Sequence, residues 1–141
     1  MYAAVIPAFV DSALRDKPLT VHGDGTQSRD FTHVSTVCAT IIDALERKVT
    51  SSEPVNLAFG SRISLREVLS LLGEHLDRPL VVDHTESRVG DVPHSQADST
   101  LLRTLFPDIS PIAFDQGLIE TIEWMRSEIV AESTENLRAS S

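Results

Sequence analysis

With 141 residues, 41% of them apolar and 23% charged, the chain has the make-up of one globular domain with its own core, not of a disordered segment. A formal net charge of -9 repels polyanions such as DNA or RNA. It still allows a small nucleotide, because two local arginines can neutralise one diphosphate. The lone cysteine, Cys38, excludes a disulfide within the chain and fits a reducing, cytoplasmic setting. No apolar run approaches a membrane span, and no basic stretch precedes the apolar start.

The chain opens on a helical pattern over Tyr2 to Arg15, in which Val5, Ile6, Phe9, Val10, Ala13 and Leu14 share a stripe. Pro7 places the regular start near Ile6 or Pro7. Leu19 to His22 reads as a short strand closed by Gly23-Asp24-Gly25, and Gln27 to His33 as extended chain. Val34 to Arg47 reads as a second helix that buries Val34, Val37, Cys38, Ile41, Ile42 and Leu45. A polar loop, Thr50 to Glu53, leads to a brief strand, Pro54 to Ala58, ended by Gly60-Ser61.

Ser64-Leu65-Arg66-Glu67 is a capping box. It starts a helix with Leu65, Val68, Leu69, Leu72 and Leu76 inward. Pro79 to Val82 reads as a strand, and Asp83 to Ser95 as an irregular, ligand-facing loop. Asp98 can cap a short helix carrying Leu101, Leu102 and Leu105. Asp115 can cap a last helix with Leu118, Thr121, Ile122 and Met125 inward and Trp124 partly packed. From about 130 the pattern turns small and polar, so residues 1–129 are expected to form the domain and 130–141 a flexible tail. The fold class expected is α/β, helix-rich with few short strands.

The candidate chemistry is sparse. The five histidines, His22, His33, His75, His84 and His94, show no zinc spacing, so no metal is expected. His22 and His33 have no evident catalytic partner and read as packed or hydrogen-bonded; Cys38 reads as core. No glycine-rich turn joins a strand to a helix in the dinucleotide-binding manner, and Tyr2 is followed by Ile6 where a Tyr-x-x-x-Lys pair needs lysine.

Two arginines stand out. Arg29 follows the glycine turn and is either a surface ion pair with Asp30 or a planar fork for phosphate. Arg88-Val89-Gly90-Asp91 repeats the theme on a second loop. The Gly-Asp-Gly turn itself is either a plain connector or a place where backbone meets a flat base or sugar.

The runs Tyr2 to Phe9, Leu19 to Val34, Arg88 to Pro93 and Phe114 to Trp124, in this order and spacing, resemble the C-terminal, substrate-binding half of NAD-dependent epimerases and dehydratases. These are extended short-chain dehydrogenase/reductases, and the UDP-sugar 4-epimerases are the nearest flavour. The resemblance implies that Thr20, Val21 and His22 lie along the nucleobase, that Arg29 and Arg88 bind the diphosphate and Asp91 a ribose hydroxyl, and that Phe31 supports the site by packing. It also implies a fold lacking the Rossmann sheet, with no catalytic residue and no cofactor bound by this chain, and NAD in the complete enzyme. The family's usual aspartate is Thr36 here.

The expected function is a nucleotide-sugar (UDP-sugar-like) binding half, inactive alone. The alternatives are a split subunit completed by a separate Rossmann chain, and a non-catalytic remnant or oligomerising fragment. The partners to weigh are thus a UDP-sugar or related nucleotide-sugar, a Rossmann-domain chain, or a second copy, and neither nucleic acid nor membrane.

Overall fold

The computed structural model describes residues 4–87, 90, 92–95 and 97–139. Its first helix, α1 (Val5–Leu14), begins where an extended Ala4 turns the chain inward. Pro7 is the third helical residue, where a missing amide costs no hydrogen bond because first-turn amides have no partner within the helix. Its inner face, Phe9, Val10 and Ala13, lies over β1 (Leu19–His22). The remaining core comes from α3 (Leu65–Leu76) through Leu65, Val68 and Leu72, and from α5 (Phe114–Ala139) through Leu118, Ile122 and Met125.

Among the described residues, four short strands tie these helices together. Strand β1 pairs in parallel with β4 (Val82–Thr85), Leu19 opposite Val82 and His22 opposite Thr85. Leu19 and Val21 point into the core. Side chains alternate along a strand, so Thr20 and His22 lie on the opposite, outer face. A parallel pair needs a crossover connection, and everything between His22 and Val82 serves as one. Within it, β2 (Ser28–Arg29) pairs antiparallel with β3 (Ile63–Ser64), and His94 bridges Ser28 from the other side. The expected capping box is present: Ser64 Oγ accepts from the Glu67 amide, and Glu67 Oε2 accepts from the Ser64 amide at 2.8 Å. The helix-rich α/β class with few short strands is borne out.

Several elements differ from the sequence reading. The strand expected at 79–82 lies at 82–85, because it extends only where β1 pairs with it, starting from the Leu19 amide on the Val81 carbonyl. His84 and Thr85 are therefore strand, not loop. Pro54 to Ala58 forms no strand. No backbone-to-backbone hydrogen bond joins residues 54–59 to any described residue, and an extended stretch becomes a strand only beside a neighbour. Strand β3 was not expected at all.

Helix α4 (Thr100–Leu105) forms as expected, but its N-cap residue is Ser99, which makes no side-chain cap; Asp98, one position earlier, accepts the amide and the hydroxyl of Thr100. Asp115 does not cap α5. It lies inside the first turn, where its carboxylate meets His75 Nε2 at 2.6 Å. Helix α5 runs on to Ala139 through the stretch read as a tail, though among its residues up to 135 the last buried one is Met125. Alanine and glutamate favour helix without a packing face, and Arg15 holds Glu132 at 2.9 Å. Trp124 lies mostly on the outside.

The largest reversal is α2 (Val34–Glu46). Its apolar stripe faces outward: Val34, Ile41, Ile42 and Cys38 are exposed, and Leu45 is 72% exposed. Thr36 and Thr40, each 3% exposed, face inward instead. Thr36 Oγ1 accepts the Ile112 amide at 3.1 Å, and Thr40 Oγ1 donates to the Thr36 carbonyl at 2.8 Å. Threonine thus meets a polar need where the family's usual aspartate stands. Cys38 is a surface residue, not core.

Candidate nucleotide-sugar site

The Gly-Asp-Gly turn is fixed from three directions. Gly23 and Gly25 have φ of +78° and +79°, a region that suits glycine and strains other residues. Asp24 Oδ1 accepts both the amide and the hydroxyl of Thr26, at 3.0 and 2.7 Å. These donors, with the nearby Arg66 guanidinium, hold the Asp24 carboxyl below its ordinary range. Arg66 Nε donates to the Asp24 carbonyl at 2.9 Å, and the first α3 amides, Leu65 and Arg66, donate to the carbonyls of Gln27 and Gly25. The turn is thus seated on the N-terminus of α3.

Just after it, β2 carries Arg29. Its Nη1 donates to the Ser28 carbonyl at 2.9 Å and lies 3.5 Å from the Pro93 carbonyl. Asp30 does not pair with Arg29. Its carboxylate accepts the Gly60 amide at 2.8 Å, the Ser61 amide at 3.2 Å and the Ser61 hydroxyl at 2.7 Å, and so locks the 60–61 turn. Phe31 packs on Phe114, ring centres 5.3 Å apart, against the edge of the core.

Arg88 and Asp91 lie outside the described residues. Both flanks of their loop, however, are pinned beside the first candidate elements. On one side the Gly23 amide donates to the Thr85 carbonyl, Thr85 Oγ1 meets His22 Nδ1 at 2.8 Å, and His84 Nδ1 meets the Gly23 carbonyl at 2.8 Å. On the other, the Ser28 amide donates to the Pro93 carbonyl, the Ser95 amide to the Ser28 carbonyl, and Ser28 Oγ shares a hydrogen bond with His94 Nδ1 at 2.9 Å. Sequence reasoning missed Ser28, His84, Thr85 and His94, because these pairings join residues more than sixty positions apart.

Of the nucleobase residues, Thr20 is exposed and His22 half-buried, whereas the Val21 side chain is 0% exposed and belongs to the core. His33 caps α2 by accepting the Ser35 amide, with its Nε2 3.8 Å from Glu120. The histidines flanking the turn are thus hydrogen-bonded, as their sequence context suggests. Among the described residues no cluster of three His, Cys, Asp or Glu side chains gathers to hold a metal, and no helix is long and apolar enough to cross a membrane.

Among the described residues a short parallel pair, a glycine turn seated on a helix N-terminus and an arginine beside a pinned loop stand together, with no dinucleotide-binding sheet. Residues 2–58 match the model of the NAD dependent epimerase/dehydratase family. It is 30% identical over 138 residues to a UDP-N-acetyl-alpha-D-glucosaminuronate decarboxylase of Bacillus cytotoxicus, spanning 89% of this chain and 40% of that protein. Among solved structures it superposes on the UDP-glucuronic acid 4-epimerase of Bacillus cereus in complex with UDP-glucuronic acid and NAD. There the TM-score is 0.77 at 27% identity, over 87% of this chain and 40% of that one. The UDP-glucose 4-epimerase of Thermotoga maritima with UDP-glucose gives a TM-score of 0.81 at 25% identity, over 90% and 40%. The chain thus spans 29 to 40% of the length of the curated relatives it matches.

Proposed function

We propose that this chain is the nucleotide-sugar-binding portion of an NAD-dependent epimerase/dehydratase, inactive alone, and that its ligand is a UDP-sugar or a close relative. One observation carries the reading. Arg29 is anchored by main-chain carbonyls on β2, beside a loop whose two ends are tied to the Gly23 turn and to Ser28. A guanidinium held in this way is pre-organised, so little side-chain entropy is lost when it meets a phosphate.

In this reading Arg29 and Arg88 clamp the diphosphate and Asp91 takes a ribose hydroxyl. Thr20 and His22 line the base from the outer face of β1. Val21 contributes only main chain, and Phe31 stiffens the wall. The structures of relatives that contain NAD motivate placing that cofactor in the complete enzyme. The described residues here do not fit it: their glycine turn leads into a strand, not a helix, and they offer no Tyr-x-x-x-Lys pair. No catalytic step is therefore assigned to this chain.

Calorimetric titration with UDP tests the reading. Wild type is expected to bind weakly. Arg29→Ala and Arg88→Ala should each cost about 1.5–3 kcal/mol, the scale of a hydrogen bond to a charged group. Equal binding by all three proteins would overturn the assignment.

A further inference from the structure

All three polar groups of Ser28 go to one neighbouring segment. Its amide donates to the Pro93 carbonyl at 3.0 Å, its carbonyl accepts the Ser95 amide at 3.2 Å, and its hydroxyl lies 2.9 Å from His94 Nδ1. The two main-chain bonds make a single parallel bridge between residues 28 and 94. Ser28 is only 6% exposed, so its hydroxyl needs a partner within the protein, and His94 supplies it. His94 itself lies at the surface.

Arg29 depends on the same register. Its Nη1 donates to the Ser28 carbonyl at 2.9 Å and lies 3.5 Å from the Pro93 carbonyl, so one guanidinium nitrogen sits between carbonyls of two adjacent segments. Pro93 has no amide, so its carbonyl is its one main-chain hydrogen-bonding group, and it faces both the Ser28 amide and Arg29. A bridge of two main-chain bonds fixes register weakly. Side chains alternate along extended chain, so a slip of one residue would turn His94 away from Ser28 and carry the Pro93 carbonyl away from Arg29. The Ser28–His94 hydrogen bond opposes such a slip. We infer that His94 is a positioning residue: acting through Ser28, it holds the Pro93 carbonyl where it anchors the Arg29 guanidinium.

This inference rests on the proposed function for the ligand, a nucleotide whose diphosphate meets Arg29. His94 acts without touching that ligand. It orders the guanidinium before the ligand arrives, and an anchored fork loses less freedom on binding. A histidine that met the phosphate directly would use its other ring nitrogen, Nε2, and asparagine separates the two roles. Its amide reaches the level of Nδ1, where it can accept from or donate to a serine hydroxyl, and it has nothing in place of Nε2.

The test reads Arg29 and the ligand separately. NMR of the ligand-free chain follows hydrogen exchange of the Arg29 guanidinium and of the Ser28 and Ser95 amides. In His94→Ala these protons should exchange about tenfold faster than in wild type, and His94→Asn should bring them back to within about threefold. UDP affinity, by calorimetry, should follow the same order, with a loss of about tenfold in His94→Ala that His94→Asn regains. Ser28→Ala should lose as much as His94→Ala, and the double variant no more than either, because each removes the same hydrogen bond. Unchanged exchange in His94→Ala, or unchanged affinity in a chain that binds UDP, overturns the inference. So does a loss that His94→Asn fails to restore, or losses that add in the double variant. The exchange measurement needs no ligand. A wild type that fails to bind UDP therefore refutes the proposed function, while the exchange rates still decide whether His94 positions Arg29.

Discussion

The two sides of the molecule treat their apolar residues in opposite ways. On one side α1, β1, α3 and α5 turn Val10, Val21, Val68, Leu72 and Leu118 inward until almost nothing of them meets solvent. On the other, α2 turns two threonines inward and leaves its isoleucines and Leu45 outside. Both helical patterns are amphipathic, and both obey the same spacing. Periodicity therefore states that a face is apolar. It does not state whether the covering surface belongs to the same chain.

The largest effects should separate the two sides. Leu72→Ala opens a cavity in the core and should cost about 2–5 kcal/mol in urea denaturation, whereas Leu45→Ala on α2 should lie within about 0.5 kcal/mol of wild type. A large loss from Leu45→Ala would show that the α2 stripe is covered within the chain itself. A middle-sized effect is expected at Thr36. Thr36→Val keeps the shape but leaves the Ile112 amide without its acceptor, at a cost of about 1–3 kcal/mol. A neutral result there would mean that the inward face of α2 does not depend on its polar contact.

The smallest effect concerns pH. The Ser64 hydroxyl and amide hold the Glu67 carboxyl below its ordinary range. A depressed carboxylate contributes stability that is present above its unfolded value and is lost as pH falls through its folded one. Thermal melts of wild type should therefore drop slightly more between pH 5 and pH 3 than those of Glu67→Gln. Parallel melting curves for the two proteins would remove the capping box from the stability argument.

What could be read in advance was local. The α1 and α3 stripes, the capping box and the His33 cap on α2 depend on neighbours a few positions away. The position of β4 and the sense of α2 depend on partners far along the chain, such as Leu19 to His22 and Ile112. The candidate site divides in the same way. Arg29 stood out as a guanidinium after a glycine turn, but Asp30 was read against its sequence neighbour. Its partners, Gly60 and Ser61, lie thirty residues on. The pairing of Ser28 with His94, which ties the second loop to Arg29, left no trace in spacing or composition.

The Asp30 carboxylate has one more consequence. With three hydrogen bonds into the 60–61 turn, it makes the strand bearing Arg29 and the segment ending at Phe59 one mechanical piece. Under the proposed function, an anion that stills Arg29 would therefore also still the backbone up to Phe59, because both hang from the same carboxylate-locked turn.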